Sequence, residues 1–369
     1  MGTMKDFDEV VFVISSQDGG GGPKATETIM DSLAEYNIKR DLYIFNQRGR
    51  KNLSLINFFS AFRYIKRLSN NQKLIVFNSG GLGIGFLLNL IILILNVLFK
   101  RKIKSVQIYH NRIFSVETNK LNNLIRLAIS DLIILMSDAF ICVSNGIRNE
   151  ILRSGFFRKK KKSCGYTIYN PLRSLNSSLK ESHSLYPFEG PVILAVGRLC
   201  KQKGFDTLIK AHANILNTVK AHLVIVGEGT EYSKLENLVR NYSDSDYVHF
   251  WGYDNNIANH YSSADVFVLS SIHEGFGLVL LEAMSCGLPV ISTNCPYGPE
   301  EILNFGEYGD IVNVSDIVGL SKSIIDVLNL PSDILQIRIK NGIERASEFS
   351  ISNIGEQYIR LIKEFSFEE

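Results

Sequence analysis

Short runs of β-branched and other apolar residues alternate along the chain with longer segments whose apolar positions recur at helical spacing. In the first half these runs are Val10–Ser15, Leu42–Phe45, Leu74–Asn78, Ser105–His110 and Ala139–Val143. In the second half they are Val192–Val196, His222–Val226, His249–Trp251, Val266–Leu269 and Val290–Ser292. Because strands that alternate with helices pair in parallel, the pattern predicts two doubly wound, Rossmann-like parallel sheets of the α/β class.

A polar segment separates the two predicted sheets. Residues 174–190 are rich in serine and contain Pro187 and Gly190 at their end, which is typical of a linker. We therefore expect one domain at residues 1–173 and another at 191–350, with the ligand in a cleft beyond the carboxyl ends of the strands. Residues 351–369 contain a further helix that the pattern assigns to neither sheet, and it is free to pack back on the first domain.

The most apolar segment of the chain lies in the first half. No charged residue occurs from Leu74 to Phe99, and Phe86–Phe99 is almost wholly apolar. Glycines interrupt the front half of this segment and leave about 14 continuous apolar residues, whereas a membrane-spanning helix needs about 20. The length therefore favours a buried crossover helix or a helix lying on a membrane surface over a transmembrane helix.

Charge is distributed unevenly between the two halves. Residues 1–186 hold 27 Lys and Arg against 13 Asp and Glu, and the remainder holds 13 against 24. A basic half suits an anionic partner such as a phospholipid surface, a lipid diphosphate or nucleic acid; alternatively, two oppositely charged domains attract each other.

A basic run adds to this picture. Arg158–Lys162 follows Phe156 and Phe157, a pairing that suits anionic lipid headgroups, although an ordinary solvated loop has the same composition. No nucleic-acid-binding motif accompanies the run, so we expect no nucleic-acid partner. The five cysteines form no C-x-x-C pair, and the first ten residues do not resemble a signal peptide. The expected location is the cytoplasm, peripheral on the inner face of the plasma membrane.

A glycine-rich turn follows the predicted strand Val266–Leu269. Gly275 and Gly277 allow a ligand to approach the backbone, and the free amides at the start of the following helix attract a phosphate. Glu274 and Glu282 repel phosphate but can accept hydrogen bonds from the hydroxyls of a sugar or a ribose. The alternative is an ordinary glycine turn with two solvated glutamates.

From position 274 onward this segment reads E-G-F-G-L-V-L-L-E-A-M-S-C-G-L-P-V-I. It resembles the E-x(7)-E signature of retaining family-4 glycosyltransferases, whose GT-B fold has two Rossmann-like domains facing across a cleft. Gly197–Asp206 resembles the family's G-R-L-x-x-x-K-G-x-D element, Ile225–Gly229 its second glycine turn, and Pro296–Leu303 the loop after the signature. The resemblance is dense over residues 190–350 and reaches the first half only in outline.

The resemblance implies a role for each matching residue. Arg198 and Lys203 bind the donor diphosphate; Glu274 binds the transferred sugar, and Glu282 binds the ribose. The implied donor-binding positions are Gly20, Gly21, Gly197, Arg198, Lys203, Gly227, Tyr253, Glu274, Gly275, Phe276, Gly277, Leu278 and Glu282. The residues implied to act in catalysis are His110, Arg198, Lys203 and Glu274. Independently of the resemblance, two cations at the end of a strand suit a departing diphosphate, because charge develops on the leaving group; surface cations on a loop are the alternative.

Three further positions have simpler alternatives. The glycines at 19–22 lie where the family has a shorter glycine pair beside the donor or the acceptor, but a flexible turn has the same sequence. His110 ends a strand where a histidine of the family contacts the transferred sugar, whereas a lone histidine is commonly structural. Tyr253 lies in the family's base-binding loop, although its ring could cap the core instead.

No metal or other cofactor is expected. Asp6-Phe7-Asp8 and Asp244-Ser245-Asp246 both spell D-x-D, but neither lies at the carboxyl end of a predicted strand. No spacing of histidine and cysteine is typical of zinc. The nucleotide sugar is therefore expected as a substrate that needs no divalent metal.

Together these features predict a retaining hexosyltransferase that uses a nucleotide diphosphate sugar, expected to be a UDP-sugar. The expected acceptor is a membrane-linked glycan or a polyprenyl diphosphate sugar in the assembly of a surface polysaccharide such as capsule or O-antigen. A soluble small-molecule acceptor and a non-catalytic sugar-nucleotide-binding protein stay open as alternatives. No nucleophilic carboxylate stands at motif spacing, so we expect leaving-group stabilisation in place of the paired carboxylates of glycosidases.

Overall fold

A computed structural model describes most of the chain. The described residues are 9–15, 21–34, 36, 38–45, 55–70, 72–114, 119–154, 156, 162–173, 175 and 185–365. The chain divides into two compact units. The first unit contains Met1–Pro171 and Ile351–Glu369, and the second unit is Leu172–Ser350.

The first unit is built on a six-stranded sheet with the strand order β2-β1-β3-β4-β5-β6, in which all neighbouring strands are parallel. Its strands are β1 Glu9–Ile14, β2 Arg40–Ile44, β3 Lys73–Asn78, β4 Lys102–Tyr109, β5 Ala139–Cys142 and β6 Gly165–Thr167. Its helices include α1 Gly21–Ala34, α2 Leu55–Leu68, α3 Leu82–Phe99, α4 Lys120–Met136 and α5 Asn145–Arg153.

The apolar segment of the first half forms α3, the crossover helix between β3 and β4. Ile84, Leu88, Ile91 and Leu95 are buried in a core that also holds Ala61 of α2. This face accounts for only part of the helix's apolar sequence, because a helix laid on a parallel sheet buries one side. By length and composition, α3 is the one described helix that could cross a membrane, and 39% of it is buried.

The second unit contains another six-stranded parallel sheet, with the strand order β12-β11-β10-β7-β8-β9. Its strands are β7 Val192–Val196, β8 His222–Val226, β9 Val248–Gly252, β10 Val266–Leu269, β11 Val290–Thr293 and β12 Asp310–Val312. Its helices are α6 Phe205–Ile215, α7 Tyr232–Tyr242, α8 Ile257–Ser262, α9 Leu278–Ser285, α10 Pro299–Ile302, α11 Ile317–Leu328 and α12 Ser332–Ser347.

The helix predicted after residue 350 is α13, Ile351–Glu364, which belongs to the first unit. It packs on α1, and Gly355 makes this approach possible, since a side-chain carbon there would lie 3.0 Å from the Cβ of Ser32. Tyr358 is fully buried and meets Phe77 of β3 edge-on, with ring centroids 5.8 Å apart. The first unit is therefore completed by a segment that follows the second unit in sequence.

The ten predicted strands all exist, with ends that shift by up to three residues. The pattern missed β6 and β12, the two strands that lie at sheet edges and contain only three residues each. Such short runs carry too few positions to show alternation.

Candidate functional site

Three neighbouring strands of the second sheet end in glycine turns. Gly197 follows β7, Gly227 follows β8, and Gly252 ends β9. The amide of Gly197 donates to the carbonyl of Val226 at 3.0 Å, and the amide of Gly227 donates to that of Gly252 at 2.7 Å. A side-chain carbon at Gly227 would lie 2.0 Å from the carbonyl oxygen of Gly197, at a φ of +142°. Only glycine fits there, so these turns approach one another more closely than other residues allow.

The turn after β7 carries the two predicted phosphate-binding cations. Arg198 has an exposed side chain, and Lys203 ends a single helical turn. The amide of Ile272 donates to the carbonyl of Gln202 at 2.8 Å, and Nε2 of Gln202 donates to the carbonyl of His273 at 2.9 Å. These bonds hold the cationic turn beside the glycine turn after β10.

Lys203 and Glu274 form an ion pair where these two turns meet. Nζ lies 2.6 Å from Oε1, and the side chains are only 13% and 9% exposed. The hydroxyl of Ser271 donates to the same carboxylate oxygen at 2.6 Å. Burial, reinforced by the Glu274 carboxylate, raises the pKa of the nearby Cys295 thiol to about 12, so it stays protonated. Glu274 is therefore not a solvated glutamate, and Lys203 is not a surface cation.

The glycine turn leads directly into α9. Gly275 and Phe276 are buried, and Gly277, with a φ of +99°, is the N-cap residue. No side chain in the described part of the chain caps α9, so its first amides, from Leu278 onward, are oriented to bind an anion. A side-chain carbon at Gly298 would lie 2.2 Å from the carbonyl oxygen of Phe276. The loop after β11 therefore packs closely on the turn.

Glu282 lies one turn further along α9 and is half-buried. The hydroxyl of Tyr261, a buried residue of α8, donates to its Oε2 at 2.9 Å. Burial, and after it the Glu282 carboxylate, raises the pKa of Tyr261, so the hydroxyl remains a donor. The bond orients the carboxylate that the resemblance assigns to the ribose.

A cavity of 440 Å³ lies beyond the carboxyl ends of β8 and β9. Its lining includes Gly227, Glu228, Gly229, Tyr232, Phe250 and Trp251. Aromatic walls with glycine backbone between them suit a flat heterocycle. Tyr253 follows directly, is 60% exposed, and donates its hydroxyl proton to Asn255 at 2.9 Å. The alternative that its ring caps the core is therefore wrong.

Hydrogen bonds through His260 hold the loop that follows β9. Oδ2 of Asp254 lies 3.0 Å from Nε2 of His260, and Nδ1 of His260 lies 2.9 Å from the hydroxyl of Tyr186. His260 is fully buried, and Trp251 packs edge-on against both rings. Sequence pattern could not predict this network, because Tyr186 lies 74 residues before His260.

His110 lies in the first unit, directly after β4. Its Nε2 is 2.5 Å from Oγ of Ser79, which is itself 2.5 Å from Oγ1 of Thr26. Burial lowers the pKa of His110 to about 4, so the imidazole is neutral at neutral pH. Its Nδ1 is buried and has no hydrogen-bond partner within the described ranges. A buried polar nitrogen without a hydrogen-bond partner is uncommon in folded proteins.

The glycine loop of the first unit is described only in part. Gly20 lies outside the described residues, whereas Gly21 begins α1. A side-chain carbon at Gly22 would lie 3.6 Å from the His110 ring. The start of α1 and the histidine are therefore neighbours.

The two D-x-D motifs and the basic run are described only in part. Asp6-Phe7-Asp8 lies outside the described residues, and Asp244 caps a short turn by accepting a hydrogen bond from the amide of Asp246. Across the described ranges, no three potential metal ligands lie together. Of the basic run Arg158–Lys162, only Lys162 is described.

Comparison with known proteins places this geometry in context. Residues 181–345 match the family described as glycosyl transferases group 1. The chain is 27% identical to the lipopolysaccharide core biosynthesis glycosyltransferase LpsE of Rhizobium meliloti, over 61% of the chain and 64% of that protein. It is 32% identical to N-acetyl-alpha-D-glucosaminyl L-malate synthase of Bacillus anthracis, over 56% of the chain and 53% of that protein. The chain thus spans between about half and just under two thirds of these curated relatives.

A solved structure extends the comparison over nearly the whole chain. Anabaena Alr3699/HepE in complex with UDP has a TM-score of 0.74 and 18% sequence identity, covering 97% of this chain and 100% of that one. This likeness confirms the predicted α/β fold of the GT-B type with two parallel sheets, each of which has six strands where the pattern predicted five. The family match and the named relatives support a transferase enzyme.

Proposed function

We propose that this protein is a retaining glycosyltransferase that moves a sugar from a UDP-sugar to a lipid-linked or glycan acceptor. The observation that carries the proposal is the place in the second unit where the turns after β7 and β10 meet. There the Lys203–Glu274 ion pair lies beside the glycine turn that leads into α9. A cation, a row of backbone amides and a buried carboxylate are the groups that a sugar diphosphate requires.

Each part of the donor has a matching feature in the second unit. The diphosphate is assigned to Lys203, Arg198 and the first amides of α9, which all offer positive charge. The ribose is assigned to Glu282, and the base to the 440 Å³ cavity. UDP as the nucleotide is supported by the HepE structure, which was solved with UDP.

The chemistry is stabilisation of the leaving group. The bond between the anomeric carbon and the diphosphate breaks, negative charge grows on the departing oxygen, and the cations lower the energy of that charge. The acceptor hydroxyl attacks from the same face and gives its proton to the departing diphosphate, so configuration is retained. The ion pair with Lys203 and the hydrogen bond from Ser271 make the Glu274 carboxylate a poor nucleophile. Its proposed role is therefore to accept hydrogen bonds from sugar hydroxyls.

The first unit is proposed to bind the acceptor. Its excess of Lys and Arg suits a lipid diphosphate. His110, which the resemblance assigns to the transferred sugar, has a neutral imidazole with an unpartnered nitrogen within the described residues. LpsE, a relative named for lipopolysaccharide core synthesis, supports a glycan acceptor for surface assembly. The proposed location is the cytoplasmic face of the plasma membrane, and no metal or cofactor is proposed.

A donor panel tests the proposal. Purified protein is incubated with UDP-, GDP- and ADP-sugars and a membrane lipid extract, and released nucleotide is measured together with labelled lipid product. We expect UDP release that depends on the extract, and its loss in Glu274→Gln. Glu344→Gln, an exposed glutamate of α12, is the matched control and should retain activity. Nucleotide release that Glu274→Gln leaves intact would remove this site from the reaction.

Two other functions make different predictions. A soluble acceptor, supported by the malate synthase relative, predicts transfer to small hydroxy acids without lipid. A non-catalytic binding protein predicts that UDP binds in calorimetry while every donor gives no turnover.

A further inference from the structure

Helix α4 presents an apolar stripe to solvent. Leu121, Leu124, Ile125, Leu132 and Leu135 recur at helical spacing, and all are exposed, from 64% at Leu121 to 42% at Leu135. On the opposite side of the helix, Ile133 and Ile134 are fully buried. The helix is therefore apolar on its outward side as well, although an ordinary surface helix is polar there.

Helix α3 continues this surface. It packs against α4, and Phe86, Leu90, Leu93 and Val97 form a row along it that is half-exposed or exposed. Both helices connect strands of one sheet, so their outward rows lie side by side. We call these rows together the α3–α4 face. Large contiguous apolar surfaces of this kind mark sites where a protein meets a membrane or another protein.

An aromatic side chain lies beside this face. The backbone amide of Phe156 donates to Oδ2 of Asp131 on α4 at 2.6 Å, and the Phe156 ring is 77% exposed. Asp131 itself is buried, so it places no exposed negative charge on α4.

Cations border the α3–α4 face. Arg67 at the end of α2, Lys100 and Lys102 after α3, and Lys120 at the start of α4 are all exposed. Nζ of Lys66 lies 4.0 Å from the centroid of the Phe99 ring at the end of α3. Over residues 55–136 the sequence holds eleven Lys and Arg against two Asp and Glu. The border is therefore strongly positive.

From these observations we infer that the α3–α4 face docks on an anionic lipid bilayer, with both helices lying in the interface between headgroups and acyl chains. The apolar rows enter the acyl boundary, and the bordering cations meet anionic headgroups. The inner row of α3, including Ile91 and Leu95, is fully buried in the core of the first unit, so α3 lies on the membrane and does not cross it.

Charge favours this occupant over a second copy of the chain. A two-fold dimer brings the same patch of each copy together, so the cationic borders would approach each other with few acidic partners. An anionic bilayer supplies the opposite charge along the whole border. The docking itself is inferred from the surface of the first unit. Only its biological role, which is to bring the enzyme to a lipid-linked acceptor, rests on the proposed function.

Vesicle flotation tests the inference. The full chain is mixed with vesicles of equal parts phosphatidylglycerol and phosphatidylcholine, or of phosphatidylcholine alone, at low and high salt. We expect flotation with the anionic vesicles, weakened by salt and by removal of phosphatidylglycerol. The variant Leu124→Gln with Leu132→Gln should lower the partition constant by roughly tenfold or more, because two apolar side chains no longer enter the bilayer.

Matched variants separate the causes. Ile334→Gln with Ile337→Gln removes two exposed apolar side chains of α12 in the second unit and should leave flotation unchanged. Arg67→Gln with Lys102→Gln should reduce flotation on anionic vesicles only. Thermal unfolding of each variant checks that the fold is retained.

Two outcomes would overturn the inference. One is flotation of the Leu124 and Leu132 variant equal to that of the unchanged chain. The other is a chain that stays with the soluble fraction and sediments as a dimer, which the same variant dissociates; a second copy would then cover the face. Nucleotide release is measured on the same samples, because its absence with intact flotation would refute the proposed function and leave the docking surface standing.

Discussion

The ion pair between Lys203 and Glu274 gives a prediction that can be worked through quantitatively. Because Nζ and Oε1 are 2.6 Å apart and both side chains are largely covered, the pair behaves as a buried salt bridge. Removing one partner leaves the other charge buried and unpaired, which costs about 3 kcal/mol. We expect this loss for Lys203→Met and for Glu274→Gln. Replacing both residues removes both charges, so the double variant should be destabilised by at least about 2 kcal/mol less than the sum of the single changes.

The chain carries a suitable probe for this measurement. Trp251 is the only tryptophan in the sequence, and it lies in the second unit beside the cavity. Its fluorescence during urea or thermal unfolding therefore reports the unit that contains the pair. For a unit of this size, 3 kcal/mol corresponds to a midpoint lowered by about 6–12 °C.

The result also has a functional arm. UDP should raise the unfolding midpoint of the unchanged chain, and this rise should shrink when Lys203 is replaced, because a phosphate contact is lost. Lys340→Met, a change to an exposed lysine of α12, is the control. Strictly additive effects of the two substitutions on unfolding would refute the reasoning, since they would mean that the two charges do not stabilise each other.

Three other predictions follow from single residues of the second unit. Glu282→Ala should weaken UDP binding by roughly 1–3 kcal/mol in calorimetry. Tyr261→Phe, which removes only the buried hydroxyl, should weaken UDP binding less. Equal UDP affinity in Glu282→Ala and the unchanged chain would exclude Glu282 from the ribose site. Gly227→Ala should destabilise the unit by about 2 kcal/mol or more in urea unfolding, because its new carbon would collide with the carbonyl of Gly197; a neutral effect would contradict the close approach of the turns. Burial lowers the pKa of His212 to about 4, so between about pH 4 and 6.5 the imidazole is protonated in the unfolded chain and neutral in the folded one. The free energy of unfolding should therefore fall by up to about 3 kcal/mol as the pH drops from about 6.5 towards 4. His212→Asn should flatten this pH dependence when unfolding is followed by tryptophan fluorescence. An unchanged slope would assign the acid sensitivity to other groups.

The sequence was most informative where the residues that form a feature are adjacent in the chain. Ten strands and the two-sheet fold could be predicted because each buried parallel strand is a continuous apolar run. The E-G-F-G segment could be placed at a helix start because glycines and the strand before them are adjacent in the chain. The pattern could not predict side-chain contacts between residues far apart in the chain, such as Lys203 with Glu274 or Tyr186 with His260.

Surface exposure was also beyond the reach of the pattern. The sequence left α3 open between a core helix and a membrane-surface helix, and the structure shows that one of its sides is core while the other is exposed. The apolar stripe of α4 could not be predicted either, because an apolar residue at helical spacing looks the same in sequence whether it faces the sheet or the solvent.

The position of α13 bears on the order in which the protein is made. The second unit is continuous in sequence, and all of it is translated before α13. The first unit begins earlier but lacks the helix that covers α1 and Phe77 until residue 364 has emerged. The half that is translated first is therefore the half that matures last, and a nascent chain stalled before residue 351 should expose the unclad side of α1 to chaperones.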